Sequence, residues 1–131
     1  MKVVTSILLN KGKILLLKRG DKVRTYKGKW ACVSGYLEYD KPLHRAIKEI
    51  EEETGIKANE IKLLKKGEEI EFYDENEKFF WQIYPFLFET DKEEIKIDWE
   101  HVEYRWVPID EIDKYDTVPK LKETIKKLLN Q

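Results

Sequence analysis

The chain has 131 residues, with 25 Lys and Arg against 26 Asp and Glu and a net charge of -1. That length supports one domain over residues 1–131 with one proper core and excludes two. Near-neutrality argues against a generic binder of nucleic acid or other polyanions, which leaves local patches as the informative charges. The abundance of Lys and Glu, with two Gln, one Met and one Cys, resembles a protein from a heat-loving organism. The lone Cys32 excludes an internal disulfide and reads as a buried thiol in the run Trp30-Ala31-Cys32-Val33, which fits a reducing cytoplasm. The apolar run at 3–9 is too short for a membrane span or a signal peptide.

Residues 3–9 and 13–17 are apolar runs joined by Asn10-Lys11-Gly12, a hairpin pattern. Residues 18–29 form a polar, basic stretch around Gly20 and Gly28 that leads into the strand before Gly35. Its cations, Arg19, Arg24 and Lys29 among them, are candidates for holding phosphate oxygens, against the plainer reading of a solvated loop. Arg19, at the end of a strand, is the best single candidate.

Pro42 suits the first position of a helix and Thr54-Gly55 suits its end, which predicts a helix over 43–54. Leu43, Ala46, Ile47 and Ile50 recur at i, i+3, i+4, i+7 and mark the face laid on the core. Glu49 and Glu53, four apart, stack at the edge of that face; Glu52 lies further toward solvent and Glu51 on the other flank. Carboxylates gathered in this way repel unless a cation lies between them, and hard divalent ions take such oxygens together with substrate phosphate. An acidic helix face is also commonly just solvated, so charge alone does not decide.

Residues 61–73 and 79–88 are strand-like around a turn at 74–77 and should pair as a long hairpin, with Pro85 demanding an edge or a bulge. Trp81 and Tyr84 read first as core aromatics and second as candidates for stacking on a base. A short strand is expected at 95–97 and another at 102–107, with His101 left at the surface. A short helix follows at 110–114 and a longer one at 118–129, carrying Leu121, Ile125, Leu128 and Leu129 at helical spacing. Asp116, in the segment between them, is a weaker candidate for contacting a nucleobase. Strands interrupted by one central helix and closed by another predict a mixed sheet with a helix on each face.

The stretch GYLEYDKPLHRAIKEIEEETGI, from Gly35 to Ile56, resembles the signature of the Nudix hydrolases. Glu49, Ile50, Glu52, Glu53, Gly55 and Ile56 stand in register with it. Lys48 stands where the family has Arg, without the planar fork of a guanidinium. The loop from Gly35 is one residue short: counted from Gly35 the place of the family's first Glu falls on Lys41, and counted back from the helix it falls on Asp40 with Ser34 in place of the glycine; Gly35 is taken as the glycine, with the deletion in the loop. Arg45, four before Glu49, is placed to supply part of the missing ion pair.

The resemblance implies an α/β (α+β) fold, a three-layer α/β/α sandwich around a central mixed sheet. It also implies a pyrophosphohydrolase that splits a diphosphate bond in a nucleoside diphosphate linked to another group, with Mg2+ as cofactor and Mn2+ as a substitute. Nucleoside triphosphates or dinucleoside polyphosphates are further substrate types, and Tyr73 is similar to an aromatic of the latter enzymes. Metal residues would be Glu49, Glu53, Glu52 and Gly35, with Glu100, which stands in a loop before Trp106-Val107 where the family often has a further carboxylate. Glu52 or Glu53 would take the proton from water. The partner is then a nucleotide or nucleoside diphosphate-linked small molecule, with no membrane and with a homodimer left open. The rivals are a non-catalytic nucleotide-binding module and an isoprenoid diphosphate isomerase, for which no spare cysteine is evident.

Overall fold

The structure is a computed structural model and describes residues 1–130. Its elements are β1 (Lys2–Asn10), β2 (Lys13–Arg19), β3 (Trp30–Ala31), β4 (Val33–Tyr36), α1 (Pro42–Thr54), β5 (Ile61–Lys66), β6 (Ile70–Asp74), β7 (Phe79–Thr90), β8 (His101–Pro108), a 3-10 turn at Ile109–Lys114 and α2 (Leu121–Leu129).

The hairpin turn at Lys11 and Gly12 takes left-handed φ values of 50° and 78°. β1 and β2 pair only beside it, Leu9 with Ile14 and Asn10 with Lys13. They then part. β1 continues against β4 on that side, from Ser6↔Val33 to Val3↔Tyr36, while β2 runs between β3 and β8. On its other side β1 lies parallel to β7. All other strand pairings are antiparallel, giving a mixed sheet of eight strands.

Strand alternation sorts the apolar residues into two layers. Val4 and Leu8 of β1, Leu15 and Leu17 of β2, and Phe86 and Phe88 of β7 meet Ala46 and Ile50 of α1. Ile7, Ile14, Leu16 and Leu87 point the other way and meet Leu121, Ile125 and Leu128 of α2. The three-layer sandwich expected from the sequence is the observed architecture. Among the described residues, no helix is long and apolar enough to cross a membrane.

Three expected elements differ. The run 61–73 is two strands, β5 and β6, both paired with β7, and the break falls opposite Pro85. Proline has no N–H to give a neighbouring strand; its carbonyl instead accepts from the Gly67 N–H at 2.9 Å. Residues 95–97 form no strand, although Ile95 is buried beneath α1. The last helix starts at Leu121 rather than 118, because Lys120 takes a left-handed φ of 69° immediately after Pro119.

At Gly67 a Cβ would fall 2.8 Å from Leu128 Cδ2 and 3.0 Å from Pro85 Cγ, so the strand break, the proline and α2 close on a residue with no side chain. Gly67→Ala should cost about 1–3 kcal/mol, the usual effect of overpacking. Urea unfolding measures it, with no change expected in the slope.

Candidate active site

Proline at the first position and Gly55 at the end (φ 79°, its N–H donating to Glu51 O) bound α1 as expected. The buried stripe of this helix runs Ala46, Ile50, Glu53, so a carboxylate continues a line of core side chains. Glu53 is 2% exposed, deeper than the edge position the helical wheel suggests. Burial, then the charge of Glu100, then the neighbouring Glu49 carboxylate and the charge of Asp98 push its pKa well above the usual carboxylate range. Its Oε2 has no hydrogen-bond partner among the described residues.

Gly35, in β4, lies directly under Glu49: a Cβ there would sit 2.6 Å from Glu49 Oε2 and closer still to its side-chain carbons. Only glycine leaves room for the carboxylate to cross the strand. Arg45 fixes the same group from the side, with Nη1 3.1 Å from Glu49 Oε2 and Nε 2.9 Å from Asp40 Oδ2. The ion pair that orients the helix therefore starts from Arg45, one turn before Glu49. Lys48 is exposed and makes no ion pair among the described residues.

Glu100 arrives on the loop before β8. That loop is tied down by the Trp106 indole donating to Glu93 O at 2.8 Å, by Lys96 N–H to Thr54 O at 3.0 Å, and by Gly20 N–H to Glu100 O at 2.9 Å. Burial and the Asp98 carboxylate push Glu100 up to about 7, against the opposing charge of Arg19. His101, which the sequence alone leaves at the surface, is buried. Its Nδ1 is 2.8 Å from Asp98 Oδ1 and its Nε2 3.9 Å from Glu53 Oε1. Burial lowers its pKa, against the opposing pull of the Asp98 carboxylate. Nothing in the local pattern of Glu100-His101-Val102 marks this residue; its role depends on β8 pairing with β2 at Arg19.

One cleft of about 380 Å³ is lined by Gly35, Glu49, Glu52, Glu100, Arg19 and Trp81; Glu53, buried next to Glu49 and Glu100, and His101 are not part of its lining. Arg19 is held by Nε donating to Thr25 O at 3.0 Å and Nη2 to Thr25 Oγ1 at 3.4 Å. Four sequence candidates are not brought to the cleft. Arg24 is exposed in its loop. Lys29 and Asp116 neutralise each other at 2.9 Å, beside a backbone bridge from Trp30 to Thr117. Tyr84 falls on the α1 face with Phe86 and Phe88, the opposite parity from Trp81. Tyr36 and Trp99, which sequence reasoning passed over as site residues, line the cleft.

Among the described residues no three acidic, His or Cys side chains close up into a ready cation cage. The donor set nevertheless suits a hard divalent ion: hard oxygen ligands, one of them a buried carboxylate oxygen with no partner among the described residues, and two carboxyls, Glu53 and Glu100, raised in pKa first by burial and then by neighbouring acids.

The NUDIX domain family model matches residues 1–128. The chain belongs to the NUDIX family and is a pyrophosphohydrolase acting on phosphorus-containing acid anhydrides. No curated protein sequence matches it. Among solved structures it is similar to a MutT protein from Methanosarcina mazei Go1, at 26% identity and a TM-score of 0.76 over 99% of this chain and 93% of that one. It is also similar in fold to the E. coli dihydroneopterin triphosphate pyrophosphohydrolase (17%, TM-score 0.83, 99% and 96%). The C. elegans Ap4A hydrolase in a binary complex shares the fold as well (15%, TM-score 0.81, 98% and 95%). Enzymes of this family generally use divalent metals.

Two outcomes follow from the geometry. Gly35→Ala should displace Glu49 and lower kcat/KM about a hundredfold while leaving the circular dichroism spectrum unchanged. The second concerns Glu53, whose folded pKa lies above its ordinary value of 4.5. The native state keeps a proton that the unfolded chain releases, so this group's contribution is complete below that value and is lost as pH rises. In metal-free protein, wild type should therefore lose stability relative to Glu53→Gln as pH climbs from 5 to 8, measured by thermal unfolding. Mg2+ at a hundred times its Kd should return about 2.7 kcal/mol, or roughly 10 °C, to wild type alone.

Proposed function

We propose that the protein hydrolyses a diphosphate bond in a nucleoside diphosphate linked to another group, with water as nucleophile and Mg2+ as resident ion. The observation that carries this is the buried, partnerless Glu53 oxygen behind a cleft walled by Glu49, Glu52, Glu100 and Arg19.

Glu49 and Glu53, with Glu100 and Gly35, would hold the ion. Bound there, Mg2+ supplies charge neutralisation for phosphoryl oxygens and acidifies a water. Arg19, fixed by Thr25, takes phosphate oxygens that the ion leaves uncovered. Arg45 holds Glu49 across Gly35, so the carboxylate is positioned before substrate arrives. Glu52, exposed at the cleft wall and free of ion pairs among the described residues, is the group placed to take the proton from water. Glu53 is engaged behind it.

The rivals lose their motivation. A module without catalysis would follow if Lys48, in place of the family's Arg, left the helix unoriented, but Arg45 makes that ion pair with Glu49. An isomerase needs a reactive thiol, whereas burial pushes the Cys32 thiol far up and its Sγ lies 3.5 Å from Leu15 O.

Mg2+-dependent product release from a panel of nucleoside triphosphates, nucleoside diphosphate sugars and dinucleoside polyphosphates tests the reading. Glu53→Gln should abolish turnover together with the Mg2+-induced rise in Tm. Glu52→Gln should lower kcat about 10²- to 10⁴-fold and keep that rise. Full turnover in Glu53→Gln would remove the mechanism.

A further inference from the structure

Beside the acidic cluster an aromatic stack ends in an open face. Tyr36 follows Gly35 on β4, and its ring lies 6.3 Å from that of Trp81 with the planes 18° apart. Trp81 is buried, while Tyr36 is 50% exposed and lines the cleft. The stack is braced from behind. Phe79 meets Trp81 edge-on at 5.6 Å, and Tyr26 lies against its ring at 6.3 Å. Tyr26 donates to Asp74 Oδ2 at 2.6 Å, and Asp74 Oδ1 accepts from the backbone N–H groups of Asn76 and Glu77. The Tyr36 ring is thus backed by a rigid base and bare on the side that faces solvent.

We infer that Tyr36 is the stacking platform for the substrate's nucleobase; this rests on the nucleotide reading above and specifies where the base goes. Three features carry it. Tyr36 lines the same cleft as Glu49, Glu52 and Glu100, so a planar group on its ring shares that cleft with the carboxylates that face the diphosphate. A half-exposed tyrosine costs little to cover on its ring face, since stacking buries apolar π surface while the phenol O–H at the ring edge stays open to water. Its backing by Trp81 means that little ordering remains when a base arrives, so the stacking free energy goes into binding. A π-face reads planarity and not hydrogen-bonding edges, so the platform accepts any base and favours purines through larger overlap.

The test is binding of α,β-methylene-ATP and of tripolyphosphate, which lacks a base, each with Mg2+, to wild type, Tyr36→Ala, Tyr36→Leu and Tyr36→Trp. Loss of the ring in the Ala and Leu variants should raise Kd for α,β-methylene-ATP roughly tenfold to a hundredfold and leave Kd for tripolyphosphate unchanged. The Trp variant should bind like wild type. Circular dichroism identifies a misfolded variant, and the Leu change, which preserves apolar cover over Trp81, guards against that outcome. Equal nucleotide affinity in wild type and the Leu variant would overturn the platform while leaving the nucleotide reading intact. Wild type that binds tripolyphosphate as tightly as α,β-methylene-ATP and turns over no nucleotide would overturn both.

Discussion

A carboxylate placed on the same helical stripe as Ile50 is the constraint around which this molecule is arranged. Burying a charge with no partner costs several kcal/mol, and a carboxyl so placed either keeps its proton or finds a cation. Among the described residues Glu53 pairs with no arginine or lysine; its neighbours are Glu49, Glu100, Asp98 and His101. Each neighbouring acid makes the proton harder to remove, and each makes a divalent cation more welcome. A hydrophobe at this position would give a more stable helix interface, and the metal role proposed for Glu53 accounts for the acid that stands there instead.

The sheet supplies the opening that this acid needs. β1 and β2 separate after two residue pairs, and β4 takes the vacated side of β1. Val3, Thr5, Ala31, Ser34 and Gly35, around that parting, all border the cleft. The shortened loop after Gly35 is accommodated because Asp40 swings to Arg45, and Arg45 reaches Glu49, so one guanidinium ties loop, helix and carboxylate together. The cation has moved one turn along α1 relative to the family's arginine, and a side chain of its length still spans the distance.

Local patterns in the sequence carried much of this. The apolar period of α1, its proline and glycine bounds, and the spacing of Glu49, Glu52 and Glu53 are properties of one helix, visible without knowing what it packs against. Arg19 was recognisable from its place at a strand end. What escaped depends on pairing between distant segments. His101 is buried because β8 crosses to β2, and Tyr36 is a cleft residue because β4 lies next to β1 with Trp81 behind. Lys29 and Asp116 resembled free ligands until the bridge beside them made them partners. Tyr84 and Trp81 were indistinguishable in a run apolar on both faces, and only strand parity assigned one to the helix layer and the other to the cleft layer.

The central claim is that Glu53 is buried in order to grip a divalent ion with Glu49. Anomalous diffraction from crystals soaked in Mn2+ measures this most directly. The account predicts a single strong peak, or a close pair, bounded by the carboxylates of Glu49 and Glu53 and facing Glu100. A map with no peak there at saturating Mn2+, and Glu53 still without a partner for its inner oxygen, would contradict it.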